Sequence, residues 1–251
     1  MPVDIWFWVF AGVATFLVGA SKGGVPMVGI LAVFVLAQYM SPIMAAGLLL
    51  PIYIVSDAYG LWLYRKAYNV RIIKIIVPAA TVGIVIGWAA ASFTTDALVK
   101  LLVGAIGLWY GLDLFLKSRR GDVEPRPADI PRGAFWGTLA GFTSFVIHAG
   151  GTPYQMYVLP QKLEKMTYAG TATIVFAFIN LLKLPPYLHL GQVNVGSLKV
   201  CAMLTPIALA GAYFGYRMTR LLPEKLFFRI VETALFLLSV KLLYEGVTAL
   251  L

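Results

Sequence analysis

Two short glycine–proline turns constrain the fold of this chain more than any other stretch: Gly19-Ala-Ser-Lys-Gly-Gly-Val-Pro26 and Ile147-His-Ala-Gly-Gly-Thr-Pro153. Both contain Gly-Gly-x-Pro, from Gly23 to Pro26 and from Gly150 to Pro153, and each has one basic or ionisable residue just ahead, Lys22 or His148. Each turn is set between apolar runs too short to cross a bilayer comfortably. In a membrane protein, Gly/Pro-interrupted short segments at matching places in two halves point to a transporter's binding site.

Composition places the chain in the membrane. Of its 251 residues 60% are apolar and 12% charged, with mean hydropathy +0.84. A soluble domain averages about 45–50% apolar and about 25% charged. Only Met-Pro-Val-Asp precedes the first apolar run, with no basic n-region, so that run is expected to be retained rather than cleaved. The single cysteine, Cys201, excludes an internal disulfide and a cysteine-based metal site, and its apolar setting predicts a small buried hydrophobe. The net charge of +9 sits in short loops between apolar runs, which is the positive-inside pattern and not a nucleic-acid footprint.

Ten apolar segments are expected, covering 5–20, 26–39, 42–64, 72–93, 97–116, 133–147, 153–159, 167–182, 197–216 and 226–244. Pro42 opens its helix where the missing N–H costs nothing. The charged, proline-bearing stretch 117–132 is a linker between a first membrane repeat, 1–116, and a second, 133–251. A loop carrying Pro185, Pro186, His189 and Gly191 is expected after the eighth segment. The halves correspond: Gly23 and Pro26 map to Gly150 and Pro153 at 127 residues, and Pro78, Gly83 and Gly87 map to Pro206, Gly211 and Gly215 at 128.

Basic residues crowd the loops at 65–74, 117–132, 161–165 and 217–225, which assigns those loops to the cytoplasm. The two halves are then inverted with respect to each other, and both termini face the periplasm. The expected fold is an all-α polytopic membrane protein of two inverted repeats of about five helical segments. The first two segments of each half are short or re-entrant. The ten residues 151–160 would rise about 15 Å as helix, half of a roughly 30 Å hydrocarbon core. Such backbone is tolerated where it lines a cavity or is buried in protein.

The turns carry anion chemistry. The first N–H groups of a helix lack intrahelical partners, and the dipole places partial positive charge there. Gly23, Gly24, Gly150 and Gly151 leave the backbone bare, Lys22 adds a full charge, and Ser21, His148, Thr152 and Gln155 add donors, which together make an anion site. Each residue has a structural alternative: Lys22 as an interfacial snorkel, His148 as a structural histidine, the glycines as helix-packing residues, Tyr154 and Gln155 as core. Asp57 and Asn180 lie inside apolar runs at nearly equivalent places, where an intramembrane carboxylate is a functional candidate; proton coupling and a structural hydrogen bond to a neighbouring helix both remain open. Glu232 is expected in a structural ion pair, and Trp6, Trp8 and Trp136 as interface anchors.

With these motifs and its size, the chain resembles the TauE/SafE family of sulfite and organosulfonate exporters over essentially all 251 residues. The resemblance implies a bacterial inner-membrane carrier for a small sulfur-containing anion such as sulfite, sulfoacetate, sulfolactate or thiosulfate. One departure is His148 where the first turn has Lys22, which makes the site asymmetric and its charge pH-dependent. A secondary carrier, exporting its anion without a cofactor, is the leading expectation. An anion channel or an uptake carrier is the alternative. An enzyme is disfavoured, because His148 has no local carboxylate or second histidine at ligand spacing. No metal or nucleic-acid partner is expected beside the anion and the lipid, and a homodimer is left open.

Overall fold

The computed structural model describes residues 5–24, 28–36, 39–40, 42–91 and 125–249, with isolated positions between 95 and 112. The described residues are helical apart from short turns, with no strand among them. In order, α1 spans Ile5–Lys22, α2 Val28–Leu36, α3 Pro42–Leu63, α4 Val70–Ala89, α5 Ile130–Ile147, α6 Gly151–Val158, α7 Lys165–His189, α8 Val195–Leu221 and α9 Glu224–Thr248. A 3-10 turn, Leu159–Gln161, extends α6. By length and composition α1, α3, α4, α7 and α8 can each cross a membrane. Val25, Pro26, most of the fifth expected segment and the linker up to 124 lie outside the described residues.

Several boundaries differ from expectation. Helix α1 continues through Ser21 and Lys22 to 18 residues, about 27 Å of rise, so the first segment is not half-length. Helix α5 starts at Ile130, because Asp129 caps it by accepting a hydrogen bond from Arg132 N–H at 2.9 Å and Pro131 sits in the first turn, where a missing donor is harmless. The expected loop after the eighth segment is helix: α7 runs on through Pro185 and Pro186 to His189, and the turn comes at Gly191, whose φ of +68° suits glycine. Two prolines inside a helix withdraw two backbone donors, which membrane helices tolerate when neighbours re-satisfy the freed groups. Helix α8 opens with a capping box between Asn194 and Ser197. Pro42 does open α3. At eight residues, α6 rises only about 12 Å and does not span a bilayer.

The chain forms two compact units, each drawn from both halves: Met1–Ile73 with Met166–Leu222, and Lys74–Lys165 with Pro223–Leu251. In the first unit, Phe7, Ala11, Ala14 and Val18 of α1 pack with Ala32, Val33 and Leu36 of α2, Leu48, Leu49 and Ile52 of α3, and Cys201, Leu204 and Ala208 of α8. Cys201 is thus the small buried hydrophobe expected of it. Glycines let α1 and α8 touch backbone to backbone: a Cβ on Gly19 would strike the carbonyl of Ala208, and one on Gly211 that of Phe16. Close approach through small residues four apart is how helices associate without a hydrophobic driving force from lipid.

The second unit uses the same device. A Cβ on Gly141 of α5 would strike the carbonyl of Ala80 in α4, and one on Gly83 that of Thr138. Tyr157 on α6 donates to the Asp129 carbonyl at 2.9 Å, tying α6 to the start of α5.

Candidate functional site: a buried lysine pair and an uncapped helix start

In the first unit the site grows from the last turn of α1. Lys22 is 4% exposed, so it does not snorkel, and its Nζ lies 2.7 Å from Asp57 Oδ1 on α3. Asn180 Nδ2 on α7 donates to Asp57 Oδ2 at 2.8 Å. Both carboxylate oxygens are therefore engaged, one by a charge and one by an amide. An ammonium and a carboxylate buried at this depth are tolerable only because each neutralises the other. Aromatic rings line the ammonium: Lys22 Nζ sits 5.0 Å from the Tyr53 ring centroid and 5.7 Å from that of Phe176.

The α3 residues that build this wall recur at helical spacing. Tyr53, Asp57, Gly60 and Tyr64 fall at i, i+4, i+7 and i+11 and share one face. Tyr53 Oη donates to the Gly29 carbonyl at 2.7 Å, and Tyr64 Oη to the Gly23 carbonyl at 2.6 Å. Thr219 Oγ1 donates to the Gly215 carbonyl at 3.0 Å and Thr173 Oγ1 to the Ala169 carbonyl at 2.9 Å, with the Gly23 and Lys22 carbonyls as their longer second acceptors at 3.4 and 3.3 Å. These bonds take up carbonyls that the end of α1 would otherwise leave bare. Ser21 Oγ turns back to the Val18 carbonyl at 2.6 Å. A Cβ on Gly23 would meet the α8 backbone at Ala212, and one on Gly24 would meet Tyr64 Oη and Thr219 Oγ1. Gly24 also has φ +115°, a conformation that favours glycine. Packing and backbone conformation thus account for glycine at 23 and 24.

Lys183 was missed by the sequence expectation, which left it at the edge of a loop. It lies inside α7, three residues after Asn180, and is 0% exposed. Its Nζ is 5.9 Å from the Tyr187 ring centroid, and it is within electrostatic reach of Asp57 and Lys22. The available signal was its i+3 spacing from Asn180, masked by the two prolines that follow.

In the second unit, His148 closes α5. It adopts the left-handed conformation, φ 54°, and its N–H donates to the Ser144 carbonyl at 3.1 Å. Histidine is among the residues that adopt this conformation more readily than most. Gly150 is the N-cap of α6 and supplies no side-chain cap. Just beyond Gly151, the residues Thr152, Tyr154 and Gln155 are buried. Thr152 Oγ1 is buried without a hydrogen-bond partner, an arrangement that costs about 1–3 kcal/mol when nothing replaces water. The start of α6 therefore has the amide and hydroxyl donors of an anion-binding helix terminus.

The structure thus brings Lys22, Asp57 and Asn180 into direct contact and sets Ser21, Gly23 and Gly24 beside them. It places His148, Gly150, Gly151, Thr152, Tyr154 and Gln155 in the other unit. Trp6 is exposed, and the Glu232 side chain lies outside the described residues. No cluster of potential metal ligands occurs among the described residues. A family model described as "Sulfite exporter TauE/SafE" matches residues 5–242. Neither the curated proteins nor the solved structures gave a match.

Proposed function

Because the chain belongs to the TauE/SafE sulfite exporter family, we propose that it is a secondary carrier exporting a small sulfur-containing anion, sulfite or an organosulfonate such as sulfoacetate or sulfolactate. The observation that carries this reading is the buried Lys22, held in the last turn of α1 by Asp57 and roofed by Tyr53 and Phe176. An ammonium kept deep in a membrane unit at the cost of its own counter-ion is a functional feature by default. The start of α6, with the bare Gly150 cap and the Thr152 hydroxyl, supplies a second set of anion-favouring donors. Ser21, Lys22, Gly23 and Gly24 in the first unit, and His148, Gly150, Gly151, Thr152 and Gln155 in the second, are the proposed substrate contacts. Asp57, Asn180 and Tyr154 are proposed as coupling or lining groups.

The proposed setting is the bacterial inner membrane, with inverted halves and periplasmic termini. The recurrence of glycine-mediated helix pairs within each unit supports the duplication, and the loop charge bias supports the orientation. The test is uptake and counterflow of radiolabelled sulfite, sulfoacetate and sulfolactate in proteoliposomes of the purified chain. Saturable counterflow of one of these anions supports the carrier. Unsaturable flux far above carrier turnover makes it a channel, and no flux of any sulfur anion overturns the reading.

A further inference from the structure

We propose that Asp57 is the proton-coupling residue of the anion site: an anion held by Lys22 shares that ammonium with Asp57, and the carboxylate takes up one proton as the anion binds. This inference rests on the function proposed above and names the coupling ion that it leaves unspecified.

Three buried side chains in direct contact carry it. Lys22 and Asp57 are each 4% exposed and Asn180 2%. Lys22 Nζ meets Asp57 Oδ1 at 2.7 Å, and Asn180 Nδ2 donates to Asp57 Oδ2 at 2.8 Å. An ammonium has three donors, so an anion can reach Lys22 while Asp57 stays beside it. Two acceptors on one ammonium lie about 4–5 Å apart, and two negative charges that close in a buried site disfavour each other's ionised form. A sulfonate, or sulfite once it carries one proton, is a weaker base than a carboxylate, so the proton goes to Asp57. Asn180 fixes which oxygen receives it. Oδ2 accepts the amide N–H and stays the carbonyl oxygen of the acid, which leaves Oδ1, on the Lys22 side, to carry the proton. The step balances as anion plus proton: an Oδ1 lone pair forms an O–H bond with a proton drawn from the aqueous phase, and no bond in the anion changes. The new O–H then stands beside the Lys22 N–H groups as a further donor to the anion.

The titratable groups around Asp57 are Lys22 of α1, Tyr53 of α3 itself, and Lys183 with Tyr187 of α7. The repulsion between two anions on one ammonium is the same whatever charge Lys183 carries. The described stretch of α2 has no titratable residue, and the cations of α8, Lys199, Arg217 and Arg220, are exposed.

The test uses the full chain in liposomes loaded with a pH-reporting dye. First, sulfite, sulfoacetate, sulfolactate and methanesulfonate are screened for flux. If none moves, the proposed function fails and this inference with it. If one moves, its proton stoichiometry is read directly. Wild type is expected to carry one proton per anion beyond what the anion itself titrates, and its affinity to fall about tenfold per pH unit at high pH, as one linked proton requires. Asp57→Asn keeps an acceptor for Asn180 and offers an N–H where the acid offers its O–H, but cannot titrate. It is expected to bind the anion with no proton moved and no pH dependence. A second readout needs no Asp57 variant to fold. Adding anion to wild type should raise an infrared carbonyl band of a protonated carboxyl group, and Asn180→Leu should shift that band by removing its hydrogen bond. Wild-type flux without proton movement overturns the inference. So does unchanged proton stoichiometry in Asp57→Asn, the absence of the band, or a band that Asn180→Leu leaves in place.

Discussion

Tyr64 and Gly23, from the end of α3 and the end of α1, are joined by a hydrogen bond in which the phenol donates to the glycine carbonyl at 2.6 Å. The bond locks the exit of α1 just beyond Lys22, and Thr219 offers that carbonyl a second, longer bond. Tyr64→Phe should cost about 0.5–1.5 kcal/mol, because Thr219 can turn its hydroxyl from the Gly215 carbonyl to this one. Adding Thr219→Val should cost more than the sum of the single effects. Thermal unfolding in detergent measures this, and strict additivity would count against a shared role.

Lys22 and Asp57 neutralise each other in a buried setting, so removing one strands the other. Lys22→Met or Asp57→Leu alone should lower stability by about 3–5 kcal/mol, whereas the double variant should recover most of the loss. The folded double variant then shows whether the pair serves transport: flux should be abolished while the unfolding midpoint stays near wild type. A double variant as unstable as either single one would contradict the pairing.

Asn180 donates to Asp57 Oδ2, a hydrogen bond to a charged group worth about 1.5–3 kcal/mol. Asn180→Leu should lose that much stability, and it should lose little when made in an Asp57→Leu, Lys22→Met background. The double-mutant cycle checks this, since an undiminished penalty in that background would assign Asn180 some other partner.

Glycine is required by conformation at Gly24 and merely tolerated at Gly12. Gly24 has φ +115° and is crowded by Tyr64 and Thr219, whereas a Cβ on Gly12 would meet only Ile207 Cδ1 at 3.7 Å. Gly24→Ala should destabilise by more than about 1–3 kcal/mol, the cost of such backbone strain before any clash is added. Gly12→Ala should be neutral or slightly stabilising, because alanine is the better helix former by about 1 kcal/mol. Expression yield and unfolding midpoint of the two variants should diverge in that order.

Thr152 Oγ1 is buried and has no hydrogen-bond partner. Thr152→Val keeps the shape and removes the unsatisfied hydroxyl, so stability should hold or rise by about 1–3 kcal/mol. If that hydroxyl contacts the anion, the same variant should raise the KM for the transported anion severalfold. A variant that gains stability with its KM unchanged would restrict Thr152 to a packing role.

The membrane class, the apolar segments and the polar residues worth watching were legible in the chain itself. Composition and apolar run length report what a segment can be buried in, and that is a local property. Lys22, Asp57 and Asn180 were each conspicuous as polar groups inside apolar runs, where such a residue is costly. What the sequence left open was which of them meet. Asn180 and Asp57 are 123 positions apart, and no local pattern encodes such a contact.

The helix ends were less legible for the same reason. Lys22 reads locally as a turn residue, yet α1 includes it because Asp57 cancels its charge. Pro185 and Pro186 read as a break, yet α7 runs through them and carries Lys183 into the buried cluster. The same kind of glycine-to-carbonyl contact recurs in both units. Ala80 and Ala208, like Gly83 and Gly211, stand 128 residues apart, while their packing partners, Gly141 and Gly19 or Thr138 and Phe16, stand 122 apart. The sequence by itself determined which segments are apolar and where glycine relieves the backbone, because those are properties of single residues and short windows. Only the tertiary structure decided which charges are neutralised and where the helices end, because these depend on contacts between residues far apart in the chain.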